Sequence, residues 1–260
     1  MEVMMNNYKF NVEQTVQECI EWIRKWFKTN AEQKSAVIGV SGGVDSAVAA
    51  ALCHSALQGD VHLYMLPNMY QTDIKDAREV IAHFNYLSYP TINIGRVYTE
   101  VIMELAAAGI QASDQARVNL PPRIRMAILY AVAQSIGGVV VNTSNLSESY
   151  VGYDTLFGDQ CGSLSPLGNL TKTEILEMAR YLQLPRRIWK KAPADGLTSR
   201  TDEEAFGFTY KELDRYIRQS GIGVSMDTIS EIERKHENSA FKRKMVCLDT
   251  FEPSEECLYE

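Results

Sequence analysis

Residues 37–47 read Val37-Ile38-Gly39-Val40-Ser41-Gly42-Gly43-Val44-Asp45-Ser46-Ala47, and this stretch decides the fold. Its apolar, β-branched start predicts a buried strand, and the small residues that follow predict a turn. Apolar residues then recur at helical spacing from Ala47 to Leu52, so the turn leads into a helix. A strand, a glycine turn and a helix together direct unpaired backbone N–H groups and the positive end of a helix dipole at an anion.

The turn carries residue types that suit a nucleotide's phosphate chain. Gly42 and Gly43 have no Cβ, so the backbone can approach a phosphate closely. Ser41 and Ser46 offer hydroxyl donors, and Asp45 offers a carboxylate where Mg²⁺ could bridge to phosphate oxygens. The turn lacks the lysine of GxxxxGK[ST] and does not match GxGxxG, so neither of those loops describes it.

Composition restricts the class of protein. The chain has 260 residues, 45% of them hydrophobic and 23% charged, which is ordinary for a soluble globular protein. Its net charge of −7 argues against nucleic-acid binding by broad phosphate neutralisation. The five cysteines are scattered without a CxxC pair, which favours a reducing, cytoplasmic setting over a disulfide framework or a zinc site. No signal segment or membrane-spanning run is recognisable, so no membrane partner is expected.

Strand and helix patterns alternate along the chain, which predicts the α/β class with a doubly wound parallel sheet flanked by helices. We expect one domain over residues 1–260, with the ligand at the carboxyl ends of the strands, where Ser41, Pro67 and Thr143 converge. Residues 192–209 have the composition of a mobile surface loop that could act as a lid. The predicted helices are 12–28, 46–57, 73–86, 97–108, 122–135, 173–183, 210–218 and 227–237, and the predicted strands are 36–40, 61–66, 91–94 and 139–143.

Several segments resemble known enzymes. The SGGxDS pattern of residues 41–46 resembles the loop of the ATP pyrophosphatases, whose fold is of the adenine-nucleotide α-hydrolase kind. The segments 119–130 and 141–148 resemble the NxxARxRMxxLY and GT(S/D)xxxE segments of ammonia-dependent NAD synthetases. Further matches follow in the same order at 152–174 and 190–214, so the resemblance extends from about residue 35 to 244.

The resemblance implies an enzyme that amidates deamido-NAD (nicotinic acid adenine dinucleotide) with ammonia. The nicotinate carboxylate would attack the α-phosphorus of ATP, and ammonia would then displace AMP to give NAD, with pyrophosphate as the other product. No residue is expected to act as a nucleophile, because such transfers depend on positioning and charge stabilisation. Since the chain begins only about 35 residues before the loop, we expect free ammonia, or ammonia from a separate partner, as the nitrogen source.

The resemblance also implies the site residues. Asp45 and Glu148 would bind Mg²⁺, and the family builds its second-substrate site across a homodimer. The expected ATP-binding residues are Gly39, Val40, Ser41, Gly42, Gly43, Val44, Asp45, Ser46, Thr143 and Lys172, and the expected deamido-NAD-binding residues are Arg123, Leu156, Ser163, Phe241 and Lys242.

The residues themselves add three observations. Lys172 begins a helix whose dipole opposes a cation, so its position is unfavourable unless an anion is present, which favours phosphate binding over a solvated lysine. Arg125 could contact a ligand or form a surface or interface ion pair. Leu156, Ser163, Ala194 and Phe241 depart from the residues that many family members carry, and so bear on the second substrate.

Two other interpretations remain open from sequence. One is an ATP pyrophosphatase that amidates a different carboxylate, and the other is a non-catalytic adenine-nucleotide-binding module. A homodimer is also expected, with the apolar surfaces of helices 12–28 and 122–135 as candidate interfaces, although both could face their own core.

Overall fold

The strand ahead of the glycine turn is the middle strand of a parallel sheet. The computed structural model describes residues 8–69, 74–85, 90–191, 201–245 and 248–258. Within them the sheet consists of β1 (Ala36–Gly39), β2 (Val61–Tyr64) and β3 (Val139–Val140), in the order β2-β1-β3. Ala36 pairs with Val61 on one side and Val139 on the other, and both pairings are parallel.

Helices cover both faces of this sheet, because alternate side chains of β1 point in opposite directions. Ala36 and Ile38 pack into a large core with several of the helices, whereas Val37 belongs to a second core on the other face. The described helices are α1 (Val12–Asn30), α2 (Val44–Ala56), α3 (Ile74–His83), α4 (Gly95–Ala107), α5 (Asp114–Ile136), α6 (Leu146–Val151), α7 (Lys172–Tyr181), α8 (Arg186–Lys190), α9 (Asp202–Phe206), α10 (Tyr210–Gln219), α11 (Met226–Asn238), α12 (Ala240–Met245) and α13 (Glu255–Leu258).

The helix that follows the glycine turn, α2, lies inside the larger core. Its alanines are small enough for α1 and α7 to approach it closely, and Ala47, Ala49 and Ala50 have no exposed surface. The second core lies on the opposite face, where Leu129 and Ala133 of α5 pack on Val37. The predicted α/β class with helices on both sides of a parallel sheet is confirmed.

The predicted strand 91–94 is wrong in extent. Thr91 forms a single parallel bridge with Met65, and the chain then turns into α4. Asn93 causes the turn, because its side-chain oxygen accepts hydrogen bonds from the backbone N–H groups of Gly95 (2.9 Å) and Met69 (3.2 Å). The predicted strand 139–143 is similarly shorter, since only β3 and a bridge from Val141 to Leu164 form.

The helix predicted at 122–135 begins eight residues earlier, at Asp114. Ser113 caps it by accepting a hydrogen bond from the N–H of Ala116 at 3.2 Å. Pro121 and Pro122 lie inside the helix, although proline normally ends one. Both are buried, and Pro122 lies so close to Gly158 that a Cβ there would be 2.7 Å from it, so tertiary packing stabilises what local preference disfavours.

A second parallel pair was not predicted. The strands β4 (Leu164–Ser165) and β5 (Asp249–Thr250) pair far from each other in sequence. The segment that carries β5 is fixed to α1, where Trp26 donates its indole N–H to Asp249 at 2.8 Å and Ser254 donates to Glu18 at 2.9 Å.

The predicted loop 192–209 falls partly outside the described residues, namely at 192–200. The remainder contains α9, and Phe206 and Phe208 are buried with Tyr210 and Leu213 in a small aromatic core. The loop predicted from composition is therefore wrong for residues 201–209, which contain a helix and buried aromatic side chains. The mobility of the predicted loop stays a prediction. In the described ranges no helix is both long and apolar enough to cross a membrane; the cytoplasmic location stays a prediction.

Candidate functional site

The glycine turn forms a loop that is held by its own serines. Ser46 Oγ donates to the carbonyl of Gly43 at 3.1 Å and accepts from the N–H of Ser41 at 3.2 Å. Ser41 Oγ accepts from the N–H of Gly43 at 3.1 Å. Gly42 has a φ of 87°, in the left-handed region that glycine tolerates. Gly43 precedes α2 without a side-chain cap, so the first-turn amides of α2 are available to an anion.

The loop forms one wall of a cavity of about 290 Å³, the central cavity, at the carboxyl ends of the parallel strands. This is where ligands bind in open α/β sheets. Nearly all of the predicted ATP-binding and metal-binding residues line it, with Gly42 inside the loop itself. They are Gly39, Val40, Ser41, Gly43, Val44, Asp45, Ser46, Thr143, Glu148 and Lys172.

Asp45, Glu148 and Lys172 form a lysine–carboxylate cluster on the floor of the cavity. Lys172 Nζ donates to Asp45 Oδ2 at 2.6 Å and to Glu148 Oε1 at 2.9 Å. Only 3% of the lysine side chain is accessible, against 19% of each carboxylate side chain. Two carboxylates of the protein are therefore the anions beside Lys172, and its predicted binding of phosphate stays a prediction.

Two further side chains orient these carboxylates. Asn145 is fully buried, and its Nδ2 donates to Asp45 Oδ1 at 3.1 Å while its Oδ1 caps α6 by accepting from the N–H of Glu148 at 2.9 Å. Tyr210 OH lies 3.2 Å from Glu148 Oε1. Sequence reasoning missed both roles, although an asparagine three residues before a glutamate is a local sign of a helix cap.

The charges and the burial of the cluster shift the pKa values of Glu148 and Lys172. Burial raises the pKa of Glu148 to about 7, and the charge of Asp45 adds to that shift while Lys172 opposes it. Burial alone would lower the pKa of Lys172, but the charges of Asp45 and Glu148 outweigh it and the pKa is raised. Lys172 therefore stays charged and does not act as a base at neutral pH.

The start of α7 is fixed from two sides. Thr171 and Glu174 form a capping box, in which the N–H of Thr171 donates to Glu174 Oε2 at 2.7 Å. The N–H of Thr173 donates to Asp214 at 2.8 Å, and the same carboxylate accepts from Ser147 Oγ. Asp214 thus joins α10 to the helices that carry Glu148 and Lys172.

The opposite wall of the central cavity comes from α5 and the segment 153–159. Arg125 lines the cavity, and its contact with a ligand stays a prediction. Its Nε donates to the carbonyl of Leu66 at 2.9 Å, and burial lowers its pKa while Asp159 opposes that shift. Met126 and Leu129 give this wall an apolar part, and Asp159 gives it a carboxylate.

The five residues predicted to contact deamido-NAD do not line the central cavity. Arg123 Nε donates to the carbonyl of Leu156 at 3.1 Å, and Lys242 Nζ donates to the carbonyl of Gly152 at 2.8 Å, so three of the five lie at the segment 152–156. Phe241 is 55% exposed, and Ser163 is half-buried beside β3. Their predicted role in binding stays a prediction, and Ala194 lies outside the described residues.

Fold and site define a protein with the α/β nucleotide-binding fold, in which a glycine loop and a lysine–carboxylate cluster line one cavity. A family model described as NAD synthase matches residues 15–246. The NH(3)-dependent NAD(+) synthetase of Carboxydothermus hydrogenoformans is 37% identical over 88% of this chain and 96% of that protein. A solved structure of NMN synthetase from Francisella tularensis has a TM-score of 0.81 at 34% identity and covers 94% of this chain and 100% of that one. The NH3-dependent NAD synthetase of Campylobacter jejuni has a TM-score of 0.75 at 28% identity and covers 92% and 99%.

The chain belongs to the NAD synthase family. The predicted class, a ligase that forms a carbon–nitrogen bond with ammonia, is thereby confirmed, as is ATP-dependent amidation of deamido-NAD to NAD as the family reaction. The curated relatives favour neither of the two interpretations that the sequence left open.

Proposed function

We propose that the central cavity is where this chain carries out the family reaction, with the triphosphate of ATP on the loop 39–46. One observation carries the proposal: the loop and the lysine–carboxylate cluster share a single cavity with the guanidinium of Arg125 on its opposite wall. That arrangement offers one end for a phosphate chain and another for an anionic second substrate.

The protein's contribution is positioning and charge stabilisation. Backbone N–H groups of the loop and the first turn of α2 would orient the triphosphate, with the α-phosphorus towards the opposite wall. The nicotinate carboxylate attacks that phosphorus and pyrophosphate leaves. Ammonia then adds to the adenylated carboxyl carbon, and AMP departs as the amide forms. Lys172, permanently charged, would stabilise the departing pyrophosphate.

The lysine–carboxylate cluster fits a magnesium ion. Asp45 and Glu148 both accept hydrogen bonds from Lys172 Nζ, so the two carboxylates lie close together in the cavity, and carboxylate oxygens are the ligands that Mg²⁺ prefers. No group of three His, Cys, Asp or Glu side chains among the described residues could hold a metal unaided, so phosphate oxygens and water would complete the shell. When bound, Mg²⁺ would neutralise charge on the phosphates.

A homodimer follows from an apolar surface on α4 and α5. Met103 and Ile110 are 58% and 54% exposed, and Tyr130 and Ile136 add to the same pair of helices and their connection. The apolar side of α1 instead packs in the larger core, which argues against α1 as the interface. Sedimentation of Met103→Glu beside the wild type tests this: a dimer that dissociates supports the proposal, and a monomeric wild type at micromolar concentration contradicts it.

The reaction is tested by supplying deamido-NAD, ATP, Mg²⁺ and ammonium and measuring NAD, AMP and pyrophosphate together. We expect the three products in equal amounts, and none when ammonium is omitted. Asp45→Asn should abolish turnover, since it removes a loop carboxylate from the cluster. Turnover that persists in Asp45→Asn would show that the site is elsewhere.

A second candidate substrate is favoured by one comparison. The solved structure with 34% identity and full coverage of that chain is described as NMN synthetase. The mononucleotide precursor of NMN carries the same nicotinate carboxylate, so the chemistry in the cavity would not change. Offering nicotinate mononucleotide and deamido-NAD in the same assay separates the two, because kcat/KM identifies the preferred carboxylate.

A further inference from the structure

Tyr210 is the first residue of α10 and lies next to the lysine–carboxylate cluster. It is only 3% exposed, and its hydroxyl lies 2.8 Å from Asp202 Oδ2 and 3.2 Å from Glu148 Oε1. Lys172 Nζ lies 5.2 Å from the centre of its ring. The side chain therefore contacts a proposed metal ligand, the lysine beside it and α9.

The hydroxyl is not needed for packing. The ring of Tyr210 lies in an apolar core with Phe206, Phe208 and Leu213, where a phenylalanine would fill the same volume. A buried hydroxyl costs free energy unless it is hydrogen-bonded, so its presence here requires partners. Both partners in this case are carboxylates of the site.

The hydroxyl also has a single proton to share. Ionised carboxylates only accept hydrogen bonds, so Glu148 and Asp202 compete for that proton. Asp202 lies at the first turn of α9, immediately after the segment 192–200, and it lines the central cavity. A displacement of Asp202 would therefore change how firmly Tyr210 holds Glu148.

We propose that Tyr210 is a positioning residue that orients the Glu148 carboxylate towards the metal ion and links that orientation to the segment beginning at residue 201. The proposal rests on the proposed function, since it presumes that Glu148 binds Mg²⁺ with ATP. Asp214, one helical turn further along α10, holds the neighbouring backbone of α7. The first residues of α10 thereby contact both Glu148 and the start of the helix that carries Lys172.

The test is Tyr210→Phe, with Tyr216→Phe as the matched control. Tyr216 lies on the same helix, and its hydroxyl donates to Glu233 at 2.9 Å outside the cavity. Each variant loses one tyrosine hydroxyl that is bonded to a carboxylate. Mg²⁺ binding is measured by calorimetry with α,β-methylene ATP present, and thermal unfolding shows whether each variant is folded.

We expect Tyr210→Phe to bind Mg²⁺ about tenfold more weakly than the wild type, since hydrogen bonds to charged groups are worth somewhat more than neutral ones. Tyr216→Phe should bind Mg²⁺ as the wild type does. Equal affinities for the two variants would overturn the role of Tyr210. No Mg²⁺ binding by the wild type with nucleotide would instead overturn the magnesium site of the proposed function.

A double-mutant cycle shows whether Tyr210 acts through Glu148. Glu148→Gln should weaken Mg²⁺ binding by itself, and adding Tyr210→Phe should then have little further effect. Additive losses would mean that Tyr210 acts on the site by another route and would contradict the proposal. Because the comparison is made within one background, it remains informative if the tyrosine variant is also less stable.

Discussion

Replacing Lys172 by methionine tests the lysine–carboxylate cluster most directly. The ammonium lies 2.6 Å and 2.9 Å from its two carboxylate partners, and each attraction is about 6 kcal/mol at an effective dielectric constant of about 20. Most of that offsets the cost of burying the charges. Removing one partner of a buried ion pair destabilises a protein by about 3–5 kcal/mol. Since 19% of each carboxylate side chain is accessible to water, we expect about 3 kcal/mol.

The loss should be measured by urea unfolding with and without Mg²⁺. Lys172→Met leaves Asp45 and Glu148 facing each other without a cation, so Mg²⁺ should raise its stability more than that of the wild type. Lys235→Met is the control, because Lys235 forms a long, partly exposed pair of 3.6 Å with Glu231 and should change stability by less than about 1 kcal/mol. Equal effects of Mg²⁺ on the variant and the wild type would refute the reasoning.

Three further predictions concern other parts of the site. Burial raises the pKa of Asp214 to about 6, above its unfolded value, so the free energy of unfolding of the wild type should fall by about 2 kcal/mol relative to that of Asp214→Asn as the pH rises from 4 to 7. Urea unfolding of both proteins at pH 4 and pH 7 measures this change, and the same difference between them at the two pH values would contradict it. Gly158→Ala places a Cβ 2.7 Å from Pro122, so it should lower the free energy of unfolding by about 1–3 kcal/mol. An unchanged midpoint of urea denaturation would contradict this prediction. Arg125→Lys removes the planar guanidinium that can pair with two oxygens of a carboxylate or phosphate, so the KM of the second substrate should rise about tenfold while the KM of ATP stays unchanged. Steady-state kinetics with each substrate varied in turn measures both constants, and an equal rise in the two KM values would contradict the prediction.

The parts of the fold that sequence predicts are those fixed by neighbours along the chain. β1, the loop after it and α2 are specified within the eleven residues from Val37 to Ala47, where burial, glycine and helical spacing all agree. The start of α5 was missed because a local rule, that proline ends helices, gives way to packing on Gly158. The β4–β5 pair was missed because two-residue strands carry no readable periodicity.

The same division holds for the site. The sequence indicated Lys172 because a cation at a helix start is electrostatically unfavourable without an anion, a relation visible within one turn. It did not indicate that the anions are Asp45 and Glu148, which lie 127 and 24 residues away. Asn145 and Tyr210 escaped for a related reason: what a buried polar side chain bonds to is set by tertiary structure. The residues predicted to bind the second substrate illustrate the opposite case. Matching of segments indicated Arg123 and Lys242, but it could not show that they lie outside the lining of the central cavity.

The burial of α2 limits how far the glycine loop at its start can move. A helix enclosed by α1, α7 and the sheet cannot loosen without exposing the larger core, so its backbone amides should exchange with solvent deuterium only when the whole protein unfolds. The amides of the first turn, which face the cavity, are the exception. Exchange rates along the remainder of α2 would then report the global free energy of unfolding. Partial unfolding elsewhere in the chain would leave α2, and with it the glycine loop, in place.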